Sequence, residues 1–152
     1  MPPTITDDRY DSADGTRLID EMAADLRARY GFTRADDPEP LDADDFALFL
    51  IARDPDGEAL GCGALRFQGD GTAEVKRMFV VPNARGTGVS TAILRALEER
   101  AREQGIKSLV LTTGPGQPEA IRFYHREGYQ PVEAFGPLKA YPGAVFLGRD
   151  LV

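Results

Sequence analysis

A single cysteine, a single histidine and no long apolar run set the first limits on this chain of 152 residues. Cys62 alone permits no internal disulfide, and with only His125 beside it in the inventory neither a zinc site nor a redox pair can be assembled, so no metal is expected. The longest apolar run, Phe46–Ala52, falls far short of the roughly 20 residues that cross a bilayer. The first thirty residues carry acids throughout and no apolar stretch, unlike a secretory leader, so a cytoplasmic location without membrane attachment is expected. Basic residues are also scarce. Lys and Arg number 18 against 25 Asp and Glu, a net charge of -7, which argues against nucleic acid as a partner because phosphate binding needs basic stripes.

What remains is an ordinary globular composition, 42% hydrophobic and 28% charged, long enough to bury a core as one domain over 1–152. Residues 1–16 are polar and Asp-rich and are expected as a flexible arm or an edge strand. The charge is unevenly spread: 1–58 carries a net of -10 and 59–152 a net of +3. Two readings stand. The acidic half is a solvated surface, or it lies near a cationic acceptor while the basic half serves an anionic ligand.

Leu18, Met22, Leu26 and Tyr30 recur at helical spacing, with Gly31 as a stop. Residues 33–45, with acid pairs and two prolines, read as a loop. From Phe46 the texture is that of strands: Phe46–Arg53 and Leu60–Phe67 flank the turn Asp54-Pro55-Asp56-Gly57, and Gly69-Asp70-Gly71 leads into Ala73–Val81. Thr91–Gln104 carries an apolar helical stripe at Ile93, Leu94, Leu97 and Ala101, and Ser108–Thr113 is a short buried strand. One helix between two strands makes a β-α-β unit with parallel strands. Pro118 starts another helix, Gly128 ends it, and Ala144–Leu151 has the composition of a last strand. The predicted fold is α/β, with an antiparallel meander followed by a parallel β-α-β unit in one mixed sheet flanked by helices.

The strand-to-helix turn Arg85-Gly86-Thr87-Gly88-Val89-Ser90 is the segment richest in chemistry. A helix N-terminus leaves N–H groups unpaired and carries partial positive charge, so it attracts phosphate. Glycines at 86 and 88 let the backbone curl around an anion, and Arg85 adds a full charge. A plain tight connection is the alternative. A dinucleotide fold would want a third glycine where Thr91 stands, and a nucleotide P-loop would want a lysine the turn lacks.

Val80-Val81-Pro82-Asn83-Ala84-Arg85-Gly86-Thr87-Gly88-Val89-Ser90 resembles the signature of the GCN5-related N-acetyltransferases, the GNAT superfamily, which reads Arg/Gln-x-x-Gly-x-Gly/Ala. The match holds at Arg85 and Gly88 and departs at Ser90, where Gly or Ala is usual. Ala120-Ile121-Arg122-Phe123-Tyr124-His125-Arg126-Glu127-Gly128-Tyr129 is similar to the family's later Ala-x-x-x-Tyr-x-x-x-Gly-Phe/Tyr stretch, and Ala73-Glu74-Val75 opens a strand as many members do. The resemblance runs from about Phe46 to the C-terminus. It implies a GNAT-like fold and acetyl-CoA as acyl-donor cosubstrate. Its pyrophosphate would be held by backbone amides of Arg85, Gly86, Thr87, Gly88, Val89 and Ser90, and its pantetheine arm by backbone groups of Met78, Phe79 and Val80. Gln117 stands where the family often has an asparagine that contacts the cofactor.

The same resemblance assigns the chemistry of direct transfer to a primary amine of a small molecule or peptide in a ternary complex. Tyr124 is the candidate acid for the departing thiolate, and Glu74 the candidate base, acting directly or through water. The alternatives are a packed tyrosine and a solvent-facing glutamate paired with a lysine. Strand alternation would put Glu74, Lys76, Met78 and Val80 on one face. Cys62, between Gly61 and Gly63, reads as a small packed residue rather than an acyl carrier, and His125 as surface or packing. The acceptor is expected to be cationic, with its specificity in loops 33–45 and 135–143; Tyr129 and Tyr141 read as packing, with a place at the border of the acceptor site as the alternative for Tyr141. Dimers are common in the family. A catalytically silent acyl-CoA-binding sensor or interaction module on the same fold is the second reading.

Overall fold

The computed structural model describes residues 2–31 and 42–151. Among these, the strands β1 (Thr4–Asp7), β2 (Leu48–Arg53), β3 (Ala59–Gly69), β4 (Thr72–Val80), β5 (Ser108–Thr113), β6 (Gln130–Pro131) and β7 (Val145–Asp150) form one sheet. Their order is β1-β2-β3-β4-β5-β7-β6, parallel between β4 and β5 and antiparallel elsewhere. Three helices, α1 (Ala13–Tyr30), α2 (Val89–Glu103) and α3 (Pro118–Arg126), complete the mixed α/β architecture expected from the sequence.

Turn chemistry sets the meander. Between β2 and β3, the Asp54 carboxylate accepts from the N–H groups of Asp56 and Glu58, both at 2.9 Å, and Gly57 takes φ 84°. Between β3 and β4, Asp70 and Gly71 both have positive φ, 54° and 77°, which matches the twist of a tight hairpin. The N-terminal segment is an edge strand: β1 pairs with β2 from Thr4↔Arg53 to Asp7↔Leu50. Helix α1 begins earlier than the apolar spacing implies, because Ser12 Oγ accepts from the Gly15 N–H at 3.0 Å and caps the first turn. Strand β6 was not expected, and β7 enters between it and β5.

Helix α2 buries Ile93, Leu94, Leu97 and Ala101, the stripe read from the sequence, against one face of the sheet. Glycines on β3 allow the close approach: a Cβ on Gly63 would lie 2.7 Å from Ile93 Cγ2 and 2.6 Å from Met78 Sδ. Helix α1 packs on β3 and β4 from the opposite face.

One expectation fails here. Glu74, Lys76, Met78 and Val80 do not share a face. Arg77 has φ 58°, and the β3–β4 register slips between Cys62↔Phe79 and Ala64↔Lys76, where Gly63 on β3 faces both Arg77 and Met78 on β4. This bulge reverses the alternation. Glu74 and Lys76 lie on the α1 face, opposite Arg66 and Ala64, whereas Met78 and Val80 turn towards Gly63, Gly61 and α2. Cys62 holds the bulge by donating its thiol to the Arg77 carbonyl at 3.2 Å.

Candidate active site

The parallel pairing of β4 and β5 lasts three residues, from Thr72↔Ser108 to Glu74↔Val110. Beyond it the two strands run on, to Val80 and Thr113, without bonding each other. A cavity of about 480 Å³ occupies this opening, within the range of small-molecule sites. Met78 and Phe79 from β4, Thr112 from β5, and Gln117 and Tyr124 from α3 line it, and α1 closes one side with Met22 and Tyr30. The expected catalytic pair, Glu74 and Tyr124, therefore borders one space with three of the expected cofactor residues.

Tyr124 sits on α3, two turns from its start, and is buried. Its ring meets Phe123 and Tyr129 edge-on, with centroids 5.1 and 5.7 Å away. Its hydroxyl has no hydrogen-bond partner among the described residues, and burial pushes its pKa up, so it stays a phenol. A buried donor without a protein partner is costly unless a ligand or water satisfies it. Glu74 is also buried, and both of its oxygens hold donors: Gln68 Nε2 at 2.7 Å and Lys76 Nζ at 3.2 Å.

Residues 85–90 lie outside the cavity lining, at the head of α2. Gly86 and Gly88 take φ 76° and 89°, and a Cβ on either would meet nothing within 4 Å, so the surface above them is open. No side chain caps α2, which leaves the amides of its first turn available. Thr87 Oγ1 bonds the Ala84 carbonyl, Val89 buries its side chain and Ser90 is half-buried, so what Val89 offers outward is backbone. Arg85 Nε donates to the Val80 carbonyl at 2.9 Å, and its guanidinium lies over the Phe79 ring. The Val80 carbonyl is thus taken by the turn itself, while Met78 and Phe79 border the cavity.

The remaining expectations can be placed as well. Cys62 is fully buried and its thiol is pushed up to about 12 by burial, which keeps it protonated at neutral pH and poor as a nucleophile. His125 Nδ1 lies 3.2 Å from the Tyr129 carbonyl. Tyr141, from the 135–143 loop, lines the cavity, and 33–41 lies outside the described residues. Tyr10 and Tyr30 line it too, although the sequence marked Tyr30 only as part of an apolar stripe. Among the described residues no group of His, Cys, Asp and Glu could hold a metal, and no helix is long and apolar enough to cross a membrane.

The family model of the GNAT acetyltransferases matches residues 16–129, from the second turn of α1 through the end of α3. The chain belongs to the GNAT family. An IAA acetyltransferase of Azospirillum brasilense is 38% identical over 104 residues, covering 68% of this chain and 67% of that protein. An L-methionine sulfoximine/L-methionine sulfone acetyltransferase of Pseudomonas aeruginosa is 32% identical over 130 residues, covering 80% of this chain and 70% of that protein. Among solved structures, a Klebsiella pneumoniae protein classed as an acyl-CoA N-acyltransferase superposes with a TM-score of 0.84 at 35% identity, covering 99% of this chain and 98% of that one. A GNAT acetyltransferase of Elizabethkingia anophelis, solved with acetyl-CoA bound, shares the fold with a TM-score of 0.71 at 17% identity over 98% of each chain.

Proposed function

We propose that this GNAT protein transfers the acetyl group of acetyl-CoA directly to the amine of a small molecule, with Tyr124 as the proton donor. The observation that carries the reading is the Tyr124 hydroxyl, a buried phenol on the cavity between β4 and β5 with no protein partner among the described residues. Acetyl-CoA supplies the activated acyl group as a thioester. The open glycines and uncapped amides at 86–90 fit its pyrophosphate, and the facing edges of β4 and β5, where the two strands do not pair with each other, offer backbone groups to an amide-bearing arm. Arg85, Gly86, Thr87, Gly88, Val89 and Ser90 hold the phosphates, Met78 and Phe79 border the arm, and Gln117 stands at the head of α3.

Tyr124 donates its proton to the departing sulfur, a role that suits a phenol kept neutral by burial. Glu74 keeps Gln68 and Lys76 on its two oxygens, so it takes the amine's proton through a bridging water rather than by direct contact. Cys62 takes no part, which leaves attack by the amine itself as the route. Among the described residues the charged side chains that line the cavity are Asp25 and Glu74 against Lys76 and Arg77. That balance favours a small amine that also bears an acid group over a purely cationic acceptor. The names of three relatives describe such acceptors: methionine sulfoximine, 2,4-diaminobutyric acid and aminoalkylphosphonate. A screen of purified protein with acetyl-CoA against amino acids, aminophosphonates, polyamines and peptides, read by released thiol, tests this. Turnover confined to small amines supports it; acetyl-CoA binding without transfer to any amine contradicts it and leaves the silent sensor.

A further inference from the structure

The end of α1 grips the head of α3. Tyr30 and Arg29, the last two residues of α1, take both polar backbone groups of Gly116. The Gly116 N–H donates to Tyr30 Oη at 3.0 Å, and Arg29 Nη1 donates to the Gly116 carbonyl at 3.0 Å. Tyr30 Oη lies 3.5 Å from Gln117 Oε1, on the residue that precedes α3. Arg29 also pairs with Glu119 in the first turn of α3 and with Asp25 on its own helix at 3.3 Å. The loop is made for this contact: a Cβ on Gly114 would collide with the Tyr30 hydroxyl, and one on Gly116 would lie 2.8 Å from Tyr30 Cε1.

We propose that Tyr30 is a positioning residue for acetyl-CoA binding, fixing the Gly114–Gln117 loop so that Gln117 and the first turn of α3 meet the acyl donor. The inference rests on the reading of the cavity as the acetyl-CoA site. Tyr30 lines the same cavity as Gln117 and Tyr124. Burial raises its pKa, which keeps the hydroxyl protonated and able to accept from Gly116 while donating towards Gln117. Its grip therefore joins the α1 side of the cavity, which leads into the loop expected to contact the acceptor, to the side that meets the donor.

The test is calorimetric titration of acetyl-CoA into the full chain for the wild type, Tyr30→Phe, Gln117→Ala and the double variant. Tyr30→Phe keeps the ring against the glycines and removes only the hydroxyl. Loss of its hydrogen bonds should weaken acetyl-CoA binding by about fivefold. Adding Gln117→Ala should then weaken it less than in the wild-type background, since the two side chains act through one contact. In turnover, KM for acetyl-CoA should rise by the same factor while kcat at saturation stays within about twofold. A purely structural Tyr30 would instead lower the melting temperature and leave the dissociation constant unchanged. That result, or fully additive effects, overturns the proposal while the cavity assignment stands. A wild type that binds no acetyl-CoA overturns both.

Discussion

Glu98 offers a measurable account of how α2 is locked to the rest of the site. Its carboxylate is 1% exposed, yet it holds three donors: Arg95 Nη1 at 2.8 Å, the Tyr129 hydroxyl at 2.8 Å and Arg149 Nη1 at 2.9 Å. Tyr129 is itself fully buried and packs edge-on against Tyr124, so the network reaches from α2 to the candidate acid. In Glu98→Ala, the Tyr129 hydroxyl loses its acceptor in the interior, which costs about 1–3 kcal/mol. The arginines can turn to water, since their side chains are 44% and 31% exposed. They therefore add less than the roughly 3–5 kcal/mol typical of breaking a fully buried pair. With the lost packing, the expected total is about 3 kcal/mol, or a fall of about 6–12 °C in melting temperature. Urea unfolding followed by far-UV circular dichroism measures it, with an unchanged m-value as the check on a two-state comparison.

Adding Tyr129→Phe to Glu98→Ala removes the orphaned hydroxyl and should recover about 1 kcal/mol or more, a non-additive cycle. The pH dependence has a definite sign. Burial pushes the Glu98 carboxyl up, but the hydrogen bonds from Arg95, Tyr129 and Arg149 outweigh it and hold the pKa below its ordinary value. A depressed carboxylate stabilises the fold above its unfolded pKa of about 4.3 and loses that contribution as pH falls through the lower folded value. The gap between wild type and Glu98→Ala should narrow in that acid window. A loss under about 0.5 kcal/mol, or an additive cycle, would refute the reasoning.

Three further outcomes follow from the geometry. Gly88→Ala should keep the fold, with strain of about 1–2 kcal/mol from the left-handed backbone, but weaken acetyl-CoA binding at least about tenfold in calorimetry, because the new Cβ enters the open space above the turn. Cys62 should react with a thiol reagent only on the timescale of global unfolding, and Cys62→Ala should keep turnover, as burial and a thiol pushed up to about 12 demand. Glu74→Gln should lower turnover at neutral pH and leave the acetyl-CoA dissociation constant unchanged in the same titrations, as the base role proposed for its carboxylate requires.

Elements with a strong local period were legible in the sequence. Strand β5 spans Ser108–Thr113, as read from its run of β-formers, and the α2 stripe buries the four residues its spacing named. Gly88 announces the start of α2 because only glycine takes φ 89° freely. The bulge at Arg77 was not legible, because an arginine with positive φ leaves no mark in the pattern and is imposed by the β3–β4 register. Without it, alternation puts Glu74 with Met78 when the fold separates them. Strand β6, at two residues, is too short for any period. Tyr30 carried a helical spacing that reads as core, and its place on the cavity depends on contacts 86 and 87 residues away. The same holds for Glu98, whose partners beyond its helix neighbour Arg95 are Tyr129, past the end of α3, and Arg149 on β7, 31 and 51 residues away.

The central claim is that the buried phenol of Tyr124 donates the proton that lets the thiolate leave. Steady-state thiol release by Tyr124→Phe, with the best acceptor from the amine screen and beside a calorimetric dissociation constant for acetyl-CoA, tests it most directly. The account predicts a kcat lowered about a hundredfold or more with acetyl-CoA affinity and melting temperature essentially kept. Wild-type kcat in Tyr124→Phe would contradict it.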